Sequence, residues 1–399
     1  MIELHDALAR ILDSTETLEK TKIPLRAAYN RVLGEDVYAD SDIPPFNKAA
    51  MDGYALRSDD LVHVPALLNV AESIQAGDIS KTPVDEGTCV KIMTGAPVPT
   101  GADAVVMREE TRIEPDGKIR FTVSCTPGQN ICTAGEDVRR GELVLRSGSI
   151  IRGPEIAILA AVGKTTPTVT RAPEVALVTT GNEIVEPDKT PSDGMIRNSN
   201  GPMLYTLMRA LGCEVDYFGI AGDNEESLLR AISAGVHKDV LLLSGGVSMG
   251  DYDFVPELVE KIGARIIFHK VRVKPGKPLL FARKGRCSIF GIPGNPVSNF
   301  TTFNLFIKPA VRKLMGWADC GPEFWQGVVE EDFQNTSSRV QVVPSVHTIE
   351  RGCVRVFPLR LNGSADIIGC SRSSCLAIFF EAKSLVKKGD RIKIIPLTE

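Results

Sequence analysis

A chain of 399 residues exceeds the ~250–300 over which a single core keeps growing, so two to four domains are expected. Hydrophobic residues at 43% and charged residues at 24% exclude disorder, and no apolar run approaches the ~18 residues of a membrane span. A net charge of −4 argues against broad nucleic-acid binding, so a bound anion must be held by local positive groups. The first residues carry acids and lack a signal-peptide core, which makes the cytoplasm the expected location. Nine scattered cysteines contain no Cys-x-x-Cys and fit reduced, partly buried thiols; five dispersed histidines assemble no evident zinc site.

Leu4, Leu8, Ile11 and Leu12 recur at helical spacing, and Ile43-Pro-Pro-Phe-Asn47 then breaks the chain. Between about 50 and 146, short β-type runs at 62–64, 89–92, 104–107 and 120–123 alternate with turn residues, predicting a small, mostly antiparallel unit. An apolar helix over 155–163 leads out of it. From 174 the rhythm becomes α/β. Strands are expected at 175–178, 214–220, 240–244, 265–268, 279–282 and 288–292. Helices are expected from a Ser199 or Asn200 cap to 211, and at 225–236, 255–261 and 296–315. This is the alternation of a doubly wound sheet. Runs at 327–329, 340–343, 354–357, 375–380 and 391–395 predict a C-terminal all-β domain.

Three carboxylates fall just beyond expected strand ends: Glu183, Asp223 and Asp253. Ligands of open α/β sheets bind at that edge, and converging carboxylates there can hold Mg²⁺. Any one of them alone reads better as a loop acid, and Asp223 could cap the 225–236 helix. Ser244-Gly-Gly-Val-Ser-Met-Gly250 gives successive amides room to turn towards an anion, though it has neither Walker nor dinucleotide spacing. Lys270, Arg272 and Lys274 alternate along an extended segment and so share one face. The prolines around Gly276-Lys277 aim Lys274 and Lys277 at a phosphate or oxyanion rather than leaving them on a solvated face. Asp52 and Thr94 precede glycines, and composition alone leaves them as turn residues.

Five motifs occur together and in order: Pro44-Pro-Phe-Asn-Lys-Ala-Ala-Met-Asp-Gly-Tyr-Ala55, Ile92-Met-Thr-Gly-Ala-Pro97, Ser244-Gly-Gly-Val-Ser-Met-Gly250, Lys274-Pro-Gly-Lys-Pro278 and Pro293-Gly-Asn-Pro-Val-Ser298. With them the chain resembles the molybdopterin molybdenumtransferases of the bacterial MoeA type, which are similar to the E domain of gephyrin. The resemblance covers residues 1 to about 316 and, more weakly, the rest.

The resemblance implies an α/β multi-domain subunit. Its centre, residues 172–316, would be a doubly wound, molybdopterin-binding domain of MogA-like kind. A linking and dimerisation domain (1–41 and 147–171), a small β-rich domain (42–146) and a C-terminal β-barrel-like domain (317–399) would surround it. It implies an enzyme that hydrolyses adenylylated molybdopterin with Mg²⁺, inserts molybdate into the dithiolene and releases AMP. The family's catalytic positions fall on Asp52, Thr94, Asp253, Lys274 and Lys277. Its substrate contacts fall on Ser244, Gly245, Gly246, Ser248, Gly250, Pro293, Gly294, Asn295, Pro296, Ser298 and Ser364, and its metal ligands on Glu183, Asp223 and Asp253. A homodimer is implied, in which the small domain of one chain reaches over the central domain of the other. The adenylyltransferase that makes the substrate is an implied partner; nucleic acid and membrane are not.

The sequence departs from the family pattern at Ala49, where serine is common, and at Asn182, where aspartate is common. In the C-terminal domain the family's Gly-Arg-x-x-Phe-x-Arg reads Ser338-Arg-Val-Gln-Val-Val-Pro344, so proline replaces the arginine that helps hold molybdate. That leaves molybdate and tungstate both open. Rival readings are a non-enzymatic molybdopterin-binding scaffold and a nucleotide-processing enzyme of the adenylyltransferase step.

Overall fold

Along Glu174–Thr180, Val175 and Leu177 pack into one hydrophobic cluster and Ala176 and Val178 into another. A strand buried on both faces needs helices on both sides, which is the reason for a doubly wound sheet. The computed structural model describes residues 1–247, 254–380 and 384–397. It contains a six-stranded sheet in the order Glu214–Ala221, Glu174–Thr180, Val240–Ser244, Cys287–Ile292, Leu280–Lys284, Arg265–His269. The first four strands are parallel and the last two join antiparallel. Leu204 and Met208 of the Asn200–Ala210 helix cover one face. Leu228 and Ile232 of Glu225–Gly235, with Leu258 and Val259 of Val255–Lys261, cover the other.

The chain divides into two compact units. The first comprises residues 1–34, 148–152 and 167–399; the second comprises 35–147 and 153–166. In the first, the Leu4–Ser14 helix buries Leu4, Ala7 and Ile11, close to the expected face. The helix expected over 296–315 is interrupted by a five-residue π turn, Phe303–Ile307, between Pro296–Thr302 and Lys308–Leu314. Pro309, two residues beyond the turn, has no N–H to continue an α ladder back to Leu305, which gives the interruption its cause. Beyond it, strands Trp325–Val329, Val340–Glu350, Cys353–Pro358, Cys375–Phe379 and Arg391–Pro396 form a closed five-stranded barrel, sealed by pairing of Gln341–Ser345 with Cys375–Phe379. Val329, Val343, Val356, Ala377, Phe379 and Ile394 fill it. One further short strand, Val273–Lys274, pairs with Val340 and Gln341 although it comes from the preceding α/β segment.

The second unit has a six-stranded sheet in the order Ala104–Met107, Gly53–Leu56, Thr88–Ile92, Ala66–Ile74, Ile119–Phe121, Thr111–Ile113. All its pairings are antiparallel except Ala66–Ile74 with Thr88–Ile92. The strand expected at 62–64 is not formed. Ser58–Leu61 is a 3-10 turn, Val62 and Val64 are exposed, and pairing starts only after Pro65. An apolar run without burial had imitated a strand. The Gly53–Leu56 strand, buried at every position, carried no alternation to reveal it.

All nine cysteines are unpaired thiols, and burial pushes Cys89, Cys287 and Cys375 up to about 12. Among the described residues no helix is long and apolar enough to cross a membrane.

Arg171 grips Asp239 with both guanidinium nitrogens, at 2.5 and 2.7 Å, and donates through Nε to Glu19 at 2.6 Å. Arg286 also donates to Glu19 at 2.6 Å. The Arg171 hydrogen bond, helped by Glu19's own backbone N–H and by Arg286, holds the Glu19 carboxyl at about 2. An unfolded glutamate titrates near ~4.3, so the stabilisation is complete above that value and is lost as pH falls towards 2. Glu19→Gln should therefore melt below the parent at neutral pH, and the gap should close on acidification into that window. A gap in melting temperature unchanged down to the lowest pH would contradict this.

Candidate active site

The central sheet reverses direction beside Glu174–Thr180: the chain steps to Glu214–Ala221 on one side and returns to Val240–Ser244 on the other. The carboxyl ends of the two diverging strands therefore flank an open crevice, the usual ligand position in this architecture. Gly245 closes the turn there with φ +106°, and a Cβ on it would lie 2.5 Å from Thr180 Oγ1 and 2.7 Å from its carbonyl oxygen. Only glycine allows that approach. Ser244 is buried, and its Oγ accepts from Asn200 Nδ2 at 3.2 Å and Asn299 Nδ2 at 2.9 Å. The same two amides donate to the carbonyls of Gly294 (2.6 Å) and Pro293 (2.5 Å), tying the strand end to the Pro293-Gly-Asn-Pro segment. Asn200 Oδ1, Asn299 Oδ1 and Thr180 Oγ1 are buried without a partner among the described residues. Buried polar atoms in that condition are commonly completed by water or ligand.

Two cavities open from this framework. One, of about 440 Å³, is lined by Glu183, Asn200, Ser244, Gly294, Asn295 and Pro296. The other, of about 740 Å³, lies against the barrel and shares Gly294 and Asn295 with the first. Gly246, Lys274, Lys277, Pro293, Ser298 and Ser364 line it, as do Arg339 and Arg360. Four cationic side chains and no carboxylate face this space among the described residues. Lys274 and Lys277 have no ion-pair partner there either. A cavity charged on one sign only suits an anion, and low-dielectric walls strengthen the attraction.

The shared face expected for Lys270, Arg272 and Lys274 is not formed. Lys270 has φ +76°, which breaks the extended run. Arg272 turns to Glu3 (3.2 Å) and to the Ser338 carbonyl (2.9 Å), so Lys274 alone of the three lines the cavity. Nor does Asp223 cap the following helix: Asn224 does, accepting from Ser227 N at 2.9 Å. Asp223 Oδ2 instead accepts from Asn182 N at 3.0 Å, while Asn182 Oδ1 accepts from Asp223 N at 3.0 Å. The pair cross-links two strand-end loops. Ser199 and Asn200 do not cap their helix through side chains; Asn198 Oδ1 instead accepts from Gly201 N at 2.9 Å, while Asn200 Nδ2 donates to Ser244 and Gly294.

Glu183 is exposed and folds over Gly181, where a Cβ would meet its Oε2 at 2.6 Å. Ser248, Gly250 and Asp253, with its neighbour Asp251, lie outside the described residues. Among the described residues no group of three or more His, Cys, Asp or Glu side chains could hold a metal ion. Glu183 and Asp223 are two of the three carboxylates expected for Mg²⁺, and both offer the oxygen donors that hard ion requires.

In the second unit, Asp52 Oδ1 accepts from both the backbone N–H and the hydroxyl of Thr94, each at 2.7 Å. The Thr94 backbone N–H, then its hydroxyl, and the charge of Arg108 hold this carboxyl below the usual range. Asp52 is thus an exposed carboxylate kept ionised and fixed in direction. The sequence brought Asp52 and Thr94 forward separately; their contact was not visible in it. Asn200, Asn299, Arg339 and Arg360 were missed as site residues. Asn299 directly follows the last quoted motif, whereas Arg360 sits in Leu359-Arg-Leu361 with no local signal.

Residues 2–163 match the family model of the MoeA N-terminal region (domain I and II), and residues 176–313 match that of a probable molybdopterin binding domain. The molybdopterin molybdenumtransferase of Staphylococcus epidermidis is 34% identical, over 100% of this chain and 96% of its own length. That of Staphylococcus aureus is 33% identical over the same shares. The crystal structure of the molybdopterin biosynthesis moeA protein from Pyrococcus horikoshii OT3 superposes with a TM-score of 0.82 at 31% identity, covering 99% of this chain and 100% of that one. With likeness running from end to end and two of the five motifs, at 274–278 and 293–298, lining the cationic cavity, the chain belongs to the molybdopterin molybdenumtransferase family and is a transferase of molybdenum cofactor biosynthesis.

Proposed function

We propose that the chain takes adenylylated molybdopterin, hydrolyses its phosphoanhydride with Mg²⁺, and inserts molybdate into the dithiolene, releasing AMP. The observation that carries this reading is the cavity lined, among the described residues, by four cations and no acid, and joined through Gly294 and Asn295 to the strand-end crevice. A ligand anionic at both ends, a pterin phosphate and an oxyanion, is matched by that pair of spaces. Lys274 and Lys277 bind the oxyanion and offset charge that builds on the scissile group. The Ser244–Asn200–Asn299 cluster fixes the crevice wall so that the anhydride is presented in one orientation. Water adds to one phosphorus and the bridging P–O bond breaks, giving AMP and molybdopterin monophosphate. The two dithiolene thiols of the retained pterin then displace one oxo ligand of molybdate, two Mo–S bonds forming as the oxygen leaves with both thiol protons as water. Glu183, Asp223 and Asp253 would hold Mg²⁺, which supplies charge neutralisation at the anhydride when bound.

Asp52 and Thr94 belong to a different compact unit from the crevice residues. A homodimer in which this unit of one protomer completes the site of the other accounts for both sets. The adenylyltransferase that supplies the substrate is the natural protein partner.

Incubation with adenylylated molybdopterin, Mg²⁺ and molybdate should release AMP and yield active cofactor; neither product appearing would end the proposal. Asp253→Asn should abolish AMP release while the protein still folds and binds the pterin, whereas an inactive Asp251→Asn beside an active Asp253→Asn would move the role to Asp251. Mixing inactive Asp52→Ala and Asp253→Ala proteins should restore activity after subunit exchange, with up to one intact site per heterodimer. Exchange without recovery, or a monomer in solution, would return Asp52 to a structural turn.

A further inference from the structure

The 740 Å³ cavity receives cations from two sources: Lys274 and Lys277 from the α/β segment, and Arg339 and Arg360 from the barrel segment. The two arginines are not equivalent. Arg339 Nη1 donates to the Val273 carbonyl at 3.0 Å, and its half-buried side chain thereby holds the Val273–Lys274 strand. Arg360 is exposed to the cavity and makes no ion pair or side-chain hydrogen bond among the described residues.

The loop that carries Arg360 is tied down on both sides. Leu359 N donates to the Pro344 carbonyl at 3.1 Å, and the Ser364 carbonyl accepts from Val297 N at 3.0 Å. Between and beyond these, Asp366 accepts from Asn362 N at 3.0 Å and Gly369 N at 2.8 Å. The backbone of the residue next to Arg360 is therefore anchored on Pro344, the strand position at which the family pattern places an arginine. The loop held by that strand's carbonyl thus carries a cation into the cavity that Pro344 also lines.

We propose that Arg360 is the residue with which the barrel segment binds the tetrahedral oxyanion substrate. This rests on the transferase reading above and goes beyond it, because the family motif assigns that contact to position 344. A guanidinium offers two parallel N–H donors to a tetrahedral oxyanion, and a pinned loop reduces the ordering that binding would otherwise require. The other anion that could reach the cavity is the phosphate of the pterin ligand.

The test measures initial rates against molybdate concentration at saturating adenylylated molybdopterin, with pterin binding measured separately in the absence of molybdate. For Arg360→Ala the molybdate KM should rise about ten- to a hundredfold, as expected for a lost charge-assisted hydrogen bond, with pterin binding unchanged. Arg360→Lys should recover part of the loss. An unchanged molybdate KM would overturn the assignment. So would a weakening of pterin binding equal to the rise in KM, which would place Arg360 on the phosphate. A parent protein with no molybdate-dependent turnover would instead defeat the transferase reading, an outcome distinguishable because it precedes any comparison of variants. Arg360 lies on the surface, so melting temperatures of both variants should match the parent.

Discussion

Replacing Lys274 and Lys277 together by alanine should lower kcat/KM by about 10³-fold, and each alone by about ten- to a hundredfold. Both lysines line a cavity that has no carboxylate among the described residues, and neither makes an ion pair there. Both side chains are exposed, so the double variant should fold and melt as the parent does. Steady-state rates for the two singles and the double, with calorimetry on each, decide the matter. A double variant within a few-fold of the parent would show that Arg339 and Arg360 suffice to hold the anion. If the loss falls on KM for molybdate, the lysines bind the ground state; if on kcat, they act at the charge-building step.

Gly53→Ala should destabilise the second unit by about 3 kcal/mol or more. A Cβ at Gly53 would lie 2.0 Å from the Val106 carbonyl oxygen and 3.1 Å from Met107 Cα, and backbone atoms of a paired strand cannot move aside as a side chain can. The strands must separate instead, and Asp52 moves with them because its carbonyl accepts from Arg108 N at 3.1 Å on the far side of the same pairing. Thermal unfolding should show the loss, and activity below the melting transition should fall as well. An alanine variant that melts with the parent would mean the two strands are free to part.

The sequence exposed the central sheet well because its strands are continuous apolar runs separated by amphipathic helices. Both of those signals are local. Val240–Ser244 and Val255–Lys261 needed no tertiary information. The second unit was harder to read, since its strands are short and its pairings join distant segments, as Gly53–Leu56 does with both Thr88–Ile92 and Ala104–Met107. Motifs located most of the larger cavity for the same reason that they failed at Arg360. Glycine and proline frames advertise a fixed backbone, whereas an arginine on a loop becomes a site residue only through what the loop is tied to. Lys270 illustrates the converse error: alternating charge looked like a strand face, and one positive φ removed it.

The two residues Val273 and Lys274 run parallel to Val340 and Gln341, so a lysine encoded before the interrupted helical run of 296–314 is held by a strand encoded after it. Arg339, the residue before Val340, donates to the Val273 carbonyl and fastens the same seam. A chain ended by a stop codon after residue 316 would still encode every motif up to Ser298, yet Lys274 would hang from an unpaired edge. The barrel could not then be lost, shuffled or replaced by recombination without unseating a residue that the upstream gene segment already specifies. Such a graft would succeed only if the incoming module supplied an edge strand in the same register.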